Sequence, residues 1–257
     1  MAFYHQLIRR EKRRQLDKRG LVLDTYHLSK RLAKAAAYVP KGARLADIGS
    51  DHAYLPANLA INHIIDYGVA GEVVKGPYEN AVHEIQREHL EEKIFPRFAD
   101  GLKAIEDDDQ IDTITICGMG GTLIRNILEK DKSKLQNHPL LILQPNVGSN
   151  VLRQWLQVNH YLITHEDILE EDGHIYEIIV AKYAHQPMQL SSEDLFFGPI
   201  LRHHQNDAFM KKWEKEIEKN EKAINQMQKA TNTPTQRLAQ LKAENELIRG
   251  VLANGKS

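Results

Sequence analysis

A single cysteine, Cys117, stands in the 257-residue chain, so an intramolecular disulfide and a cysteine-built zinc site are both excluded. That usage suits a reducing compartment, and a soluble protein in a cytoplasmic location is expected, with no metal. No apolar run approaches the roughly 20 residues that span a bilayer, and the N-terminus lacks the apolar core of a signal peptide. Neither sign of charge dominates, with 34 basic against 35 acidic residues for a net charge of -1. A nucleic-acid partner would therefore be met by a local patch and not by net charge. Internal repeats and low-complexity tracts are absent as well. What is present, 42% hydrophobic residues, can bury one sizeable core or one core plus a small appendage.

The chain divides by composition into residues 1–27, 28–187 and 188–257. The first stretch is basic, from His5 to Arg19, and reads either as an RNA-contacting arm or as a solvated tail. From Leu28 the spacing of Leu32, Ala35, Ala36 and Val39 predicts a helix stopped by Pro40-Lys41-Gly42. Strands are expected at Ala43–Ile48, Val69–Val74, Phe95–Ala99, Ile111–Cys117, Leu140–Gln144, Tyr161–Leu169 and Ile175–Ala181. Helices are expected at Leu55–Ile65, Tyr78–Glu92, Thr122–Glu129 and Val147–Val158. Strands alternating with helices imply an α/β fold with a parallel sheet and right-handed crossovers. The last two strands lack a helix between them, so an antiparallel hairpin turning around Glu170-Glu171-Asp172-Gly173 should close the sheet. Beyond it, Asp207–Ala230 and the run carrying Leu238, Leu241, Asn245, Ile248 and Leu252 predict an antiparallel helical hairpin with a coiled-coil seam, Asn245 being its single polar register residue.

Three predicted strands end in glycine-bearing loops, the first two with Asp as well: Asp47-Ile48-Gly49-Ser50-Asp51-His52, Ala99-Asp100-Gly101, and Cys117-Gly118-Met119-Gly120-Gly121. In an open parallel sheet the carboxyl ends of the strands are where ligands bind. A dinucleotide fingerprint would need further glycines after Gly49, but Asp51 stands in the second glycine's place and would repel a pyrophosphate. The same groups suit a cationic, adenosine-bearing ligand, and S-adenosylmethionine is the obvious one. Gly49 permits close approach, and Asp47 and Asp51 can accept hydrogen bonds from an ammonium group. His52 either supports that loop or merely starts the next helix. Asp100 can accept from the exocyclic amine of an adenine lying over Gly101, although Asp-Gly is also a common turn pair. Glu72 is the only carboxylate near the end of the second strand, where ribose hydroxyls are usually held, yet it precedes Val73-Val74-Lys75-Gly76-Pro77 and so falls short of the expected strand end.

Three glycines in the Cys117–Gly121 run could cradle a phosphate, but no Lys follows as a P-loop requires. The alternative is a floor for a planar substrate base beside the methyl donor, with Met119 as an apolar wall, Gly120 beneath and Asn146 of Gln144-Pro145-Asn146 as a second wall. Cys117, with no His placed locally to activate it, reads as a small packed residue.

These blocks, with Leu28-Ser29-Lys30-Arg31-Leu32 and Ala53-Tyr54-Leu55-Pro56, closely resemble the bacterial tRNA adenine-22 N1-methyltransferases from about Leu28 to the C-terminus. The resemblance implies a Rossmann-like class I methyltransferase sheet, a C-terminal helical coiled-coil domain that helps hold tRNA, and S-adenosylmethionine as methyl donor. On this reading Asp47, Gly49, Asp51, His52, Glu72, Gly76, Asp100, Gly101 and Gly118 bind the cofactor, while Met119, Gly120 and Asn146 position the base. Residues 1–27 depart from the family pattern. Two rival functions remain at this point: a nicotinamide-dependent oxidoreductase, disfavoured by the missing glycines, and a non-catalytic RNA-binding adaptor.

Overall fold

The alternation of apolar strands with amphipathic helices resolves into a seven-stranded mixed sheet of order β3-β2-β1-β4-β5-β7-β6. The computed structural model describes residues 24–186, 188–229 and 234–254. The strands are β1 (Ala43–Ile48), β2 (Ile65–Glu72), β3 (Ile94–Phe98), β4 (Thr113–Gly120), β5 (Leu140–Val147), β6 (Tyr161–Glu171) and β7 (His174–Tyr183). The first five are parallel, and β7 pairs antiparallel to both β5 and β6. The expected hairpin closes through Asp172 and Gly173, both at positive φ (52° and 80°), the two-residue turn whose twist matches that of the strands.

Helices cover both faces. Ala35 of α1 (Lys30–Ala36), Leu55, Ala57, Leu59 and Ala60 of α2 (Tyr54–Ile61), and Ala81 and Ile85 of α3 (Lys75–Arg87) bury one face. Ile124 and Leu128 of α4 (Gly121–Lys130) and Leu152, Trp155 and Leu156 of α5 (Ser149–Val158) bury the other. Two-sided burial explains why the central parallel strands β1, β4 and β5 are mostly apolar.

The C-terminal region holds α6 (Ser192–Phe197), α7 (Asp207–Gln228) and α8 (Thr235–Asn254). The short α6, capped by Ser191 and Asp194, was not anticipated. Phe197, Leu201, Phe209, Trp213, Ile248, Val251 and Leu252 form a third apolar cluster, and it includes Ile168 of β6 with Ile175 of β7 packed against it. The helical region thus shares part of its core with the sheet's edge hairpin and is not packed on itself alone. Asn245 is also not the single polar residue between the helices: buried Asn220 donates to its Oδ1 at 3.0 Å.

The basic arm predicted at His5–Arg19 lies outside the described residues. Of the stretch assigned to residues 1–27, Thr25 is fully buried and hydrogen-bonds Glu84, while its carbonyl accepts from Asn58 Nδ2 at 2.7 Å. Its last residues therefore belong to the sheet domain.

Candidate active site

β1 lies between β2 and β4, where the strand order reverses, so a crevice opens above the carboxyl ends of β1 and β4. The loops at that end carry most of the predicted site residues. After Ile48, Gly49 takes φ 74°, and the Gly49 and Ser50 amides both donate to the carbonyl of Gly71 on β2, at 2.9 and 3.1 Å. A Cβ built on Gly49 would lie 2.0 Å from Met119 Cε, so the first and third glycine-bearing loops meet there. His52 and Ala53 follow with φ 60° and 53°. Left-handed backbone costs a non-glycine residue about 1–2 kcal/mol, and two in succession shape a tight shelf before α2.

The two carboxylates of this loop face different environments. Asp47 is buried and accepts from Thr115 Oγ1 of β4 at 2.6 Å; burial pushes its carboxyl up, with the Thr115 hydroxyl opposing. The side chain of Asp51 is 62% exposed, and His52 Nε2 stands 3.5 Å from its Oδ1 while the imidazole stacks on Tyr54. Asp51 is thus the accessible acceptor and Asp47 a support for the strand ends.

Glu72 corrects the expectation from sequence. β2 stops at Glu72 instead of running to Val74, so the carboxylate does occupy the strand's last position. Its Oε1 accepts from the amides of Val73 and Val74, both at 2.8 Å, which fixes it at the mouth of the crevice. Gly76 falls inside the first turn of α3, where an added Cβ would meet nothing within 4 Å; close approach therefore does not require glycine there. Beyond β3, the Asp100 carboxylate accepts from Lys130 Nζ at 2.6 Å, which holds it below the usual carboxylate range, and Gly101 follows at φ 62°. Val73, Val74 and Phe98 stand 54%, 57% and 59% exposed beside these acids, apolar walls at the strand ends.

β4 outlasts its predicted end at Cys117, pairing with β5 through a bulge at Gly118, φ 79°. The bulge aims Met119 toward Gly49 and opens a hydrogen-bonded ring that sequence reasoning missed. Fully buried Gln144 accepts from Gly118 N–H at 3.0 Å and from Arg31 Nη1 at 2.9 Å, and donates to Asn146 Oδ1 at 3.2 Å. Asn146 Nδ2 in turn donates to Gly118 O at 2.7 Å. Arg31 reaches the ring from α1, whose first amides, Lys30 and Arg31, donate to the Glu171 carboxylate at 2.5 and 3.3 Å. Burial pushes the Cys117 thiol up, as befits a packed residue. A Cβ on Gly121 would lie 2.2 Å from Gly148 O, whereas one on Gly120 finds its nearest neighbour at 3.8 Å.

A cleft of about 350 Å³ continues from Pro145, Asn146 and Val147 to Phe196, Lys212, Trp213 and Lys219 of the helical region. Another pocket, of about 420 Å³ between His138, Trp155, Tyr161 and Tyr183, lies at the amino-terminal ends of the parallel strands, far from these loops. Among the described residues no helix is long and apolar enough to cross a membrane, and no group of His, Cys, Asp and Glu side chains suits a metal ion.

Comparison with known proteins agrees with this arrangement. The family model described as tRNA (adenine(22)-N(1))-methyltransferase matches residues 45–249. The chain is 40% identical over 235 residues to the Bacillus subtilis tRNA (adenine(22)-N(1))-methyltransferase, covering 89% of this chain and 98% of that one. Streptococcus pneumoniae Sp1610 in complex with S-adenosyl-L-methionine superposes with a TM-score of 0.81 at 44% identity, covering 88% of this chain and all 100% of that one. M. capricolum TrmK in complex with S-adenosyl-homocysteine gives 0.78 at 28% identity over 87% and 96% of the two chains. A sheet with this strand order, its glycine-and-acid loops gathered at one crevice, and these relatives lead to one assignment: the chain belongs to the tRNA (adenine(22)-N(1))-methyltransferase family.

Proposed function

We propose that this chain transfers the methyl group of S-adenosylmethionine to N1 of an unpaired adenine, adenine 22, in tRNA, and acts in the cytoplasm. The observation that carries the reading is the meeting of Gly49 with Met119 at the reversal of strand order, flanked by acids on one side and the Gln144–Asn146 amides on the other. S-adenosylmethionine, when bound, supplies an electrophilic methyl group. The residues present fit it: exposed Asp51 for the ammonium, Glu72 for the ribose hydroxyls, Asp100 for the adenine amine, and Val73, Val74 and Phe98 against the flat base. Asp47, His52, Gly101 and Gly118 would contribute through loop shape more than through contact, and Gly76 only as part of the first turn of α3.

Adenine N1 carries a free lone pair at neutral pH and needs no general base. The chain's task is placement: Met119 and Asn146 hold the base in line, Gly120 leaves room beneath it, and water is excluded. N1 lies on the Watson–Crick edge, so the target must be unpaired or flipped out. The C-terminal region, residues 188–257, would grip tRNA along the cleft that leads from Asn146 to α7.

Calorimetry tests the cofactor half of the assignment. The chain should bind S-adenosylmethionine and S-adenosylhomocysteine but not NAD, and Asp100→Ala and Gly49→Val should bind far more weakly with the fold intact. Wild-type affinity in both variants would sink it.

A further inference from the structure

The ring around Gly118 is built so that its amides have only one workable orientation. Gly118 N–H and the Arg31 guanidinium are obligate donors, and both point at the same atom of Gln144, at 3.0 and 2.9 Å, which must therefore be the oxygen. Gln144 is fully buried, so its amino group, left facing Asn146 at 3.2 Å, requires an oxygen there. Gly118 O, an obligate acceptor, demands the amino group of Asn146 from the other side, at 2.7 Å. Each constraint agrees with the next. What Asn146 keeps at the cleft mouth is one N–H and one oxygen lone pair, on a side chain that is exposed.

That pair complements N7 and the exocyclic amine of adenine, the two-point contact by which an amide reads this base, and it leaves N1 uncovered for reaction. A guanine presents acceptors at both places and would set its O6 against the Asn146 oxygen. We propose that Arg31 and Gln144 are positioning residues which lock the Asn146 amide so that the pocket reads the N6/N7 edge of the target base and selects adenine. The proposal rests on the reading that adenine N1 is the methyl acceptor. Arg31 takes part as the only charged member: its Nη1 meets the buried Gln144 oxygen, its backbone is tied to Glu171, and its guanidinium lies 5.6 Å from the centre of the Tyr176 ring.

The test compares single-turnover methylation, at saturating S-adenosylmethionine, of tRNA carrying adenosine, 7-deazaadenosine or purine riboside at the target position. Each analogue lacks one of the two contacts but keeps N1. Because intrinsic N1 reactivity differs among the three, the readout is the ratio of wild-type to variant preference, in which reactivity cancels. Asn146→Ala sets the ratio for a pocket that has lost the contact. Gln144→Glu keeps partners for Gly118 and Arg31 but turns an oxygen on Asn146, and Arg31→Met frees Gln144. Wild type should favour adenosine over each analogue by on the order of ten-fold more than Asn146→Ala does. Gln144→Glu should fall to the Asn146→Ala value and Arg31→Met part-way, with cofactor affinity unchanged. Equal preference in wild type and Asn146→Ala overturns the proposal, as does wild-type preference in both Gln144→Glu and Arg31→Met. If Gln144→Glu fails to fold, Arg31→Met and Asn146→Ala decide alone. No N1-methyladenosine from wild type on unmodified tRNA would instead refute the proposed function.

Discussion

Replacing Arg153 with Met should loosen the helical region from the sheet and do so in a pH-dependent way. Arg153 is fully buried. Its Nε donates to Glu166 Oε1 and its Nη2 to Glu177 Oε2, both at 2.7 Å, and its Nη1 to Leu195 O at 3.3 Å. Glu166 in turn accepts from the amides of Ile200 and Leu201, at 2.9 and 3.3 Å, and Glu177 pairs with Lys212 of α7. Removing one partner of a buried ion pair strands the other, at about 3–5 kcal/mol, a large share of the roughly 5–15 kcal/mol that holds a typical domain. The pH dependence follows from the carboxyls. Burial alone raises Glu177, but Lys212 and Arg153 outweigh it and hold the group at about 2, below the ordinary 4.5. Its contribution in the wild type is therefore present above that ordinary value and lost as pH falls toward 2. Burial already pushes Glu166 up. In Arg153→Met both groups rise, so the deficit is greatest near neutrality and shrinks as acid protonates them. Urea unfolding at about pH 7.5 and pH 5 reads both quantities. A loss under about 1 kcal/mol, or the same loss at both pH values, would refute the reasoning.

Three further outcomes are expected. Gly121→Ala should lower the thermal midpoint, since its Cβ would lie 2.2 Å from Gly148 O, while Gly120→Ala, with 3.8 Å of clearance, should leave it nearly unchanged; equal effects would contradict the packing described. Reversing the exposed lysines of α7 with Lys215→Glu and Lys222→Glu should weaken tRNA binding and reduce the salt slope by up to about 2; an unaltered slope would remove α7 from the tRNA interface. The single-turnover rate on bound tRNA should stay nearly flat from neutral to mildly alkaline pH, because N1 needs no deprotonation; a bell-shaped profile would reveal an acid–base pair.

Much of this architecture is legible in the residues because two-sided burial writes itself into composition: β1, β4 and β5 are mostly apolar up to their carboxyl ends, and the Asp-Gly turn announces the closing hairpin. Strand ends are less legible. Val73 and Val74 look like strand and are not, because the Glu72 carboxylate captures their amides and turns the chain into α3. Gly118 looks like an end and is not, because a bulge lets β4 keep its pairing with β5. Contacts between residues far apart in sequence leave no local mark. Arg31 and Gln144 are 113 positions apart, and nothing in a basic helix start announces a partner inside the sheet. The lysines of α7 read as a uniform charged face, yet Lys211, Lys212 and Lys219 are paired with Glu170, Glu177 and Glu216, and Lys212 in particular serves the interior. For the same reason the helical hairpin reads as separable, although Ile168 and Ile175 of the sheet complete its core.

The most direct measurement is nucleoside mass spectrometry, with fragment mapping, of tRNA incubated with the purified chain and S-adenosylmethionine. One added methyl group on N1 of adenine 22, with S-adenosylhomocysteine formed in equal amount, is the predicted result. Methyl groups on a guanine, on adenine N6, or on no nucleoside of the tRNA would contradict the account.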